Sequence, residues 1–391
     1  MGKPKIRFKG YTTDWEQRKL GDIATFINGR AYSQDELLSS GKYKVLRVGN
    51  FYTNDSWYYS DMELDDKYYA EEGDLLYTWS ATFGPHIWHG DKVIYHYHIW
   101  KVELSDALEK NFAVQLMEKD KQSILSDKNG STMVHITKSG MESKEVILPS
   151  NIKEQAKIGE YFYSLDHLIT LHQRKYEEMK TLKRYMLQKM FPQSEQKVPE
   201  IRFAGFTEAW EQLKVSEITS SYSGGTPKAG TTEYYDGDIP FIRSGEIYGN
   251  TTELFITEEG LNSSSAKMVH IGDILYALYG ATSGEVSRAK LDGAINQAIL
   301  AIIPNDEVNA DFLVEWFRKE KTQITDKYLQ GGQGNLSAQI IKDLIVTIPT
   351  CEEQNKIGEY FSKINHLITL HQQKCEELKN IKKFMLQNMF V

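Results

Sequence analysis

Three stretches of the chain set hydrogen-bonding side chains beside glycines, close to apolar runs. They are Asn28-Gly-Arg30-Ala-Tyr32, Trp79-Ser-Ala-Thr82-Phe83-Gly-Pro-His86 and Lys128-Asn129-Gly-Ser131-Thr132. A second trio follows in the same order: Ser223-Gly-Gly-Thr226-Pro-Lys228, Tyr279-Gly-Ala-Thr282-Ser283-Gly and Gln330-Gly-Gly-Gln333-Gly-Asn335. Glycine lets a backbone approach a phosphate closely. Arg, Lys, Asn, Gln, Ser and Thr can reach base edges, so the chemistry on offer is nucleic-acid reading. The candidate contacts are Arg30, Tyr32, Arg47, Trp79, Thr82, His86, Lys128, Asn129 and Ser131 in the first part. In the second they are Thr226, Lys228, Arg243, Thr282, Ser283, Gln333 and Asn335. Arg47 and Arg243 stand at equivalent strand ends, where structural hydrogen bonds to neighbouring loops are an equal reading. Any one loop is as well read as an ordinary exposed loop; the matched positions raise the set above its members.

Other chemistry is missing from the sequence. There is no GxxxxGK[ST] phosphate loop, no GxGxxG, no Asn/Asp-Pro-Pro-aromatic stretch, no GxSxG and no HExxH. The two cysteines, Cys351 and Cys375, have no zinc-finger spacing and imply no disulfide framework, which fits a reducing cytoplasm. His86, His89, His96 and His98 come nearest to a metal set, with His96 and His98 expected on one strand face. The later region has no matching histidines, and no metal or catalytic residues are assigned. The N-terminus is charged where a signal peptide needs an apolar run, and no window approaches the length of a membrane span.

The elements that must carry these loops are repeated. Residues 4–23 and 199–218 are identical at 11 of 20 positions, including Trp15/Trp210, Glu16/Glu211 and Gln17/Gln212. Residues 154–191 and 353–390 are identical at 25 of 38 without a gap. These latter segments read as helices. Asn151-x-x-Glu154 and Thr350-x-x-Glu353 look like capping boxes, each after a proline. Apolar spacing of 4, 3, 4, 3 then runs through Ile158, Phe162, Leu165, Ile169, His172 and Tyr176, and again through Ile357, Phe361, Ile364, Ile368, His371 and Cys375. A heptad seam of this length predicts helices that pair as a coiled coil, with the two histidines as polar register-setters. Antiparallel pairing about the midpoints would set His172 beside Cys375 and Tyr176 beside His371. Leu168, Leu171 and Leu182, with Leu367, Leu370 and Ile381, lie off the seam as a second stripe for another protein.

Strands are expected at 43–48, 74–78, 92–95, 239–243, 273–277 and 299–303, and helices at 112–117 and 311–318. The division is 1–148, a variable domain; 149–193, a helix; 194–348, a second variable domain; and 349–391, a second helix. The fold class is mixed α/β with a pseudo-two-fold internal repeat. Net charge is −8, and residues 199–348 hold 12 Lys and Arg against 21 Asp and Glu. Bulk attraction to a polyanion is thereby excluded, though a local basic stripe is not.

The doubled arrangement resembles the specificity subunit of type I restriction–modification systems over essentially the whole chain. The most specific parts are PKIRFKGYTTDWEQRKLGDI with PEIRFAGFTEAWEQLKVSEI, and the two EQxKIGEYF segments ending in KMF and NMF. The resemblance implies two target recognition domains, each reading one half of a split, asymmetric sequence in double-stranded DNA. It implies long antiparallel helices that hold those domains apart. It also implies docking of two modification subunits carrying S-adenosylmethionine and of restriction subunits carrying ATP and Mg, with no cofactor in this chain. Helices of 38 residues at 1.5 Å per residue span about 57 Å, enough to set readers about one DNA turn, roughly 34–36 Å, apart. Alternatives are service to an orphan methyltransferase and a protein–protein adaptor with no DNA role.

Overall fold

A computed structural model describes residues 2–52, 54–80, 82–126, 136–193, 196–329 and 335–391. The chain forms two compact units, residues 1–173 with 373–391, and residues 174–372. The first holds β1 (Glu16–Lys19), α1 (Leu20–Ile23), β2 (Ala24–Asn28), β3 (Tyr43–Leu46), β4 (Tyr58–Ser60), β5 (Tyr69–Ala70) and β6 (Leu75–Thr78). It continues with β7 (Gly84–Ile87), β8 (Val93–Tyr95), β9 (Ile99–Leu104), α2 (Lys110–Ser126), α3 (Lys138–Glu142), β10 (Glu145–Leu148) and the start of α4 (Ile152–Lys189). The second unit holds β11 (Glu211–Lys214), α5 (Val215–Ile218), β12 (Thr219–Ser223), β13 (Tyr235–Ile242), β14 (Phe255–Ile256), α6 (Glu258–Asn262) and β15 (Lys267–Val269). Then come β16 (Ile274–Ala277), β17 (Val286–Arg288), β18 (Gly293–Ile295), β19 (Ile299–Pro304), α7 (Ala310–Leu329), α8 (Ala338–Lys342), β20 (Ile345–Ile348) and the start of α9 (Cys351–Met389).

The sheet topology is the same in both units. The first has sheets ordered β2-β9-β6-β7 and β4-β3-β8-β5 with a β1-β10 ribbon; the second has β12-β19-β16-β17, β14-β13-β18-β15 and β11-β20. Within the second sheet of each, the central pair is parallel, Val45 facing Ile94 and Phe241 facing Ala294. The expected strand at 43–48 stops at Leu46, because Val48–Phe51 turns into a short 3-10 segment.

Each core is sealed by aromatics from the repeated segments. Phe390, from the NMF end of the chain, lies 5.2 Å from Phe112, 5.8 Å from Phe162 and 6.5 Å from Trp15. In the second unit Phe191, from KMF, lies 5.2 Å from Phe312, 6.0 Å from Phe361 and 6.1 Å from Trp210. Burying such a ring contributes about 1.5–3 kcal/mol. The long helix touches the domain helix closely because Gly159 and Gly358 carry no side chain. A Cβ on Gly159 would stand 2.7 Å from Phe112 N, and one on Gly358 2.6 Å from Asn309 Oδ1.

The capping boxes expected at Glu154 and Glu353 are not formed. Asn151 does cap, its Oδ1 accepting from Lys153 N at 2.9 Å. Glu154, however, takes Arg7 in a fork of 2.6 and 2.8 Å, and Glu353 takes Arg202 with two bonds of 2.7 Å. A guanidinium gives the carboxylate two parallel bonds and a full opposite charge, where a capping box gives it a single backbone N–H. The adjoining glutamines bind backbone: Gln155 Nε2 donates to Pro149 O at 2.8 Å, Gln354 Nε2 to Pro349 O at 2.9 Å.

In the first unit α4 and α9 run antiparallel: Asp166 meets Lys382 at 2.6 Å, and Gln173 meets Cys375 at 3.4 Å. This places Cys375 one residue from His172. In the second unit Lys183 meets Asn365 at 2.7 Å. Ile158, Phe162 and Leu165 belong to the first core together with Leu386 and Met389. Ile357, Phe361 and Ile364 belong to the second, with Ile368 packed against it. Cys375 is buried, whereas Ile169, His172, Tyr176 and His371 are half-buried. No helix among the described residues is long and apolar enough to cross a membrane.

Candidate nucleic-acid interface

In each unit a three-residue turn knits the loops together: His96-Tyr97-His98 between β8 and β9, and Asn296-Gln297-Ala298 between β18 and β19. In the first, His96 N donates to Leu46 O at 2.9 Å, beside Arg47, and Arg30 N donates to Tyr95 O at 3.1 Å. Trp79 N donates to His98 O at 3.2 Å. The second repeats this pattern. Asn296 N donates to Ile242 O at 3.4 Å, Gly225 N to Ile295 O at 3.2 Å and Leu278 N to Ala298 O at 2.8 Å. The loop after β2 or β12 fits against the turn only as glycine, since a Cβ on Gly29 would lie 2.4 Å from His96 O and one on Gly224 1.8 Å from Ile295 O. The loops holding Arg30, Arg47 and Trp79 thus converge on one hub, as do those holding Thr226, Arg243 and Tyr279. His96 and His98 therefore occupy a turn, correcting their expected place on one strand face.

The first hub is aromatic. Trp79 stacks on Trp100 at 5.8 Å, meets His98 edge-on at 5.0 Å and donates Nε1 to Tyr97 O at 2.9 Å. Arg30 binds Glu36 at 2.6 Å and stands 5.1 Å from the Tyr32 ring; its pairing raises the guanidinium pKa further. Burial pushes the Tyr32 phenol up. Arg47 sits 4.2 Å over the Tyr58 ring and donates Nη2 to Ser56 O at 3.0 Å. His86 is stacked on Phe51 at 4.2 Å and bonded to Tyr52 Oη at 3.1 Å. Burial first, and Lys121 second, lower its pKa to about 4. His96 is likewise lowered to about 4, by burial and then by His98 and Arg47. Both rings are neutral at pH 7. Thr82 and Tyr97 are exposed.

The second hub is polar. Thr226 Oγ1 donates to Gln297 Oε1 at 2.6 Å, and both residues are exposed. Lys228 and Asn335 are also exposed, Asn335 bridging to Tyr279. Arg243 is enclosed by two carboxylates, Glu246 at 3.0 Å and Glu253 at 2.6 Å. Of its two readings, the structural bonds are the ones observed. Ser283 is buried and donates to Leu278 O at 3.1 Å, unlike the open loop position expected of it. Thr282 is half-buried and donates to Tyr279 O at 3.3 Å. Lys128, Asn129, Ser131 and Gln333 lie outside the described residues.

His89 pairs with Glu72 at 2.7 Å, and among the described residues no group of three or more His, Cys, Asp or Glu is arranged to hold a metal ion. Sequence reasoning missed Tyr97 and Gln297, the exposed tips of the two hub turns. Both follow the last residue of an apolar strand by two, Tyr95 and Ile295, which is the signal that matches them; counting from Gly73 and Gly272 misses by one residue, because the second copy is one longer there.

The comparisons with known proteins agree with this repeat. The type I restriction modification DNA specificity domain matches residues 12–181 and again 207–380. The chain is 24% identical over 394 residues to the type I restriction enzyme MjaVIII specificity subunit of Methanocaldococcus jannaschii, covering 95% of this chain and 90% of that one. It is 30% identical over 193 residues to the MjaIX specificity subunit of the same organism, covering 46% of this chain and 44% of that one. In fold it is similar to the S subunit of the type I restriction–modification system from M. genitalium, with a TM-score of 0.72 at 16% identity over 100% of this chain and 99% of that one. Two matched domains covering most of the polypeptide place the chain in the type I restriction–modification DNA specificity family, as a subunit that recognises the DNA target.

Proposed function

We propose that each hub reads one half of a bipartite, asymmetric site in double-stranded DNA. The observation that carries this reading is one loop-gathering hub built twice, with aromatic and imidazole groups in the first and amide and hydroxyl groups in the second. Direct readout needs such groups on a rigid support, and different groups imply different half-sites. The chain supplies no chemistry of its own in this reading. S-adenosylmethionine resides on two modification subunits, and ATP and Mg on restriction subunits where these are present.

Exposed apolar side chains support the docking of two like partners. Leu168, Leu171, Ile381 and Phe384 of the first unit are 37–55% exposed. Leu182, Tyr185, Leu367 and Leu370 of the second are 36–51% exposed. The off-seam stripe is thus present once per unit, on the repeated helices. The second variable domain is acidic, with 12 Lys and Arg against 21 Asp and Glu over residues 199–348, so affinity of the lone chain for DNA is weak and rises in the assembled complex.

The test is adenine-methylation mapping of genomic DNA from cells co-expressing the chain with its modification subunits. One bipartite motif with a fixed gap, lost on replacing either variable domain, is expected. Insertion of residues into one long helix should alter the gap. Assembly without methylation at any motif would return the chain to the adaptor reading.

A further inference from the structure

The hydrogen bond from Thr226 to Gln297 joins two exposed side chains. A neutral, solvent-facing bond adds little to stability, and ordering a glutamine side chain costs conformational entropy. The fold therefore gains almost nothing from it. Its place is nonetheless fixed on the hub turn: Asn296 N is bonded to Ile242 O, Ile299 N to Asn296 O at 3.2 Å, and Ala298 N to Asn296 Oδ1 at 3.1 Å. Gln297 stands at the tip of this braced turn, where the first unit carries Tyr97.

We propose that Gln297, oriented by Thr226, reads an adenine in the major groove of the half-site assigned to the second unit. The inference rests on the DNA-reading function proposed above and names the base that this site takes. The Thr226 hydroxyl occupies one lone pair of Gln297 Oε1. That leaves a second lone pair and the two N–H groups of Nε2 for a base. A hydroxyl donates to Oε1 or accepts from Nε2, so Thr226 restrains the position of the amide whichever way it faces. Adenine offers a donor at N6 and an acceptor at N7, which this amide pairs in bidentate fashion. Guanine offers acceptors at both O6 and N7 and would oppose the Oε1 lone pair. Because the amide is held before DNA arrives, less entropy is lost on binding.

The experiment maps adenine methylation in cells expressing full-length variants with the modification subunits. Gln297→Ala is expected to make one A·T pair in one half-site degenerate, with a loss of discrimination of about 5- to 150-fold. The other half-site and the gap should be unchanged. Thr226→Val leaves the amide but frees it, and should relax the same pair by a smaller factor. Gln297→Glu, which presents acceptors only, should shift preference at that pair toward cytosine; this variant decides the matter if the alanine variant abolishes methylation. A motif left sharp at every position by Gln297→Ala, a relaxed pair that is G·C, or an unchanged preference with Gln297→Glu would overturn the assignment while leaving DNA reading intact. Absence of any motif with the unaltered chain would remove both.

Discussion

The two units hold the same half-buried lysine in opposite ways. In the first, Lys382 of the long helix meets Asp166 of its partner helix at 2.6 Å, and Gln115 of the domain helix donates to that carboxylate at 3.0 Å. In the second, Lys183 lies 2.9 Å from the carboxylate of Glu315 on the domain helix, and 2.7 Å from the amide of Asn365 on the long helix. Acid and amide have changed places. Each joint needs one negative charge and one amide around its lysine, but not a charge on a given helix. Burial lowers the pKa of Lys183, which the neighbouring Glu315 opposes. An ion so enclosed needs its counter-charge. The exposed tips of the hub turns, Tyr97 and Gln297, carry no such constraint, and there His96-Tyr97-His98 stands against Asn296-Gln297-Ala298 on one backbone path.

The largest effect is expected at the joints that the units share without change. Arg202→Met leaves Glu353, 1% exposed, without its counter-ion and should cost about 3–5 kcal/mol. Hydrogen exchange resolved by peptide should report the loss in residues 174–372. Arg7→Met should be milder in the first unit, because Trp15 Nε1 also donates to Glu154, at 3.4 Å, while Trp210 Nε1 is buried without a partner among the described residues. Equal losses would break that distinction.

A charge-transposition cycle at Gln115 and Asp166 sharpens the central comparison. Asp166→Asn removes the counter-charge of Lys382, and Gln115→Glu crowds a second carboxylate against Asp166; each should cost about 1–3 kcal/mol. The double variant reproduces the arrangement of the second unit and should recover most of the loss. Adding Glu118→Arg supplies the counterpart of Arg318, which pairs with Glu315. A double variant no better than the worse single one would show that the two joints are not interchangeable.

Acid should separate the units next. His86 titrates near 6.5 when unfolded and about 4 when folded, so the unfolded chain binds more protons between those values. Stability from this residue is complete above about pH 6.5 and is lost as the pH falls toward 4, by up to about 3 kcal/mol. His96 acts in the same direction. The second unit has Ser287 and Asn296 at the matching places, so unfolding between pH 7 and 5 followed separately in each unit should weaken the first more. His86→Phe should remove much of that difference.

The smallest effect on stability is expected from Leu171→Glu and Leu370→Glu, exposed positions where the change should stay within about 0.5 kcal/mol. Each should nevertheless remove one of two modification subunits from the assembly, read by mass measurement of the complex. Loss of both subunits from either single variant would show that the two patches do not act separately.

Much of this was legible in residues alone. The repeat and the heptad spacing follow from side-chain identity and a period of 3.5, which need no neighbours to be read; the antiparallel direction was implied by the resemblance alone, since a heptad seam reads the same in either direction. Glu154 and Glu353 were misread because a helix-start glutamate has the same spacing whether it turns back to its own backbone or reaches Arg7 or Arg202. The arginines of the two IRF motifs were the available signal, repeated in step with the glutamates. Ser283 was read as an open loop group, and the two readings of Arg243 stayed level, because their partners, Leu278 O, Glu246 and Glu253, are chosen by how the loop folds.

The sequence by itself determined that there are two versions of one unit, where their helices lie and which stretches differ. Those features are local or periodic, set by hydrophobic spacing and backbone preference. Only the tertiary structure decided that the differing loops meet at a single turn, that Tyr97 and Gln297 are its exposed tips, and that Arg30 and Arg243 spend their charge on carboxylates. Such pairings depend on which backbone groups are brought within about 3 Å of one another, and a linear order of residues does not contain those distances.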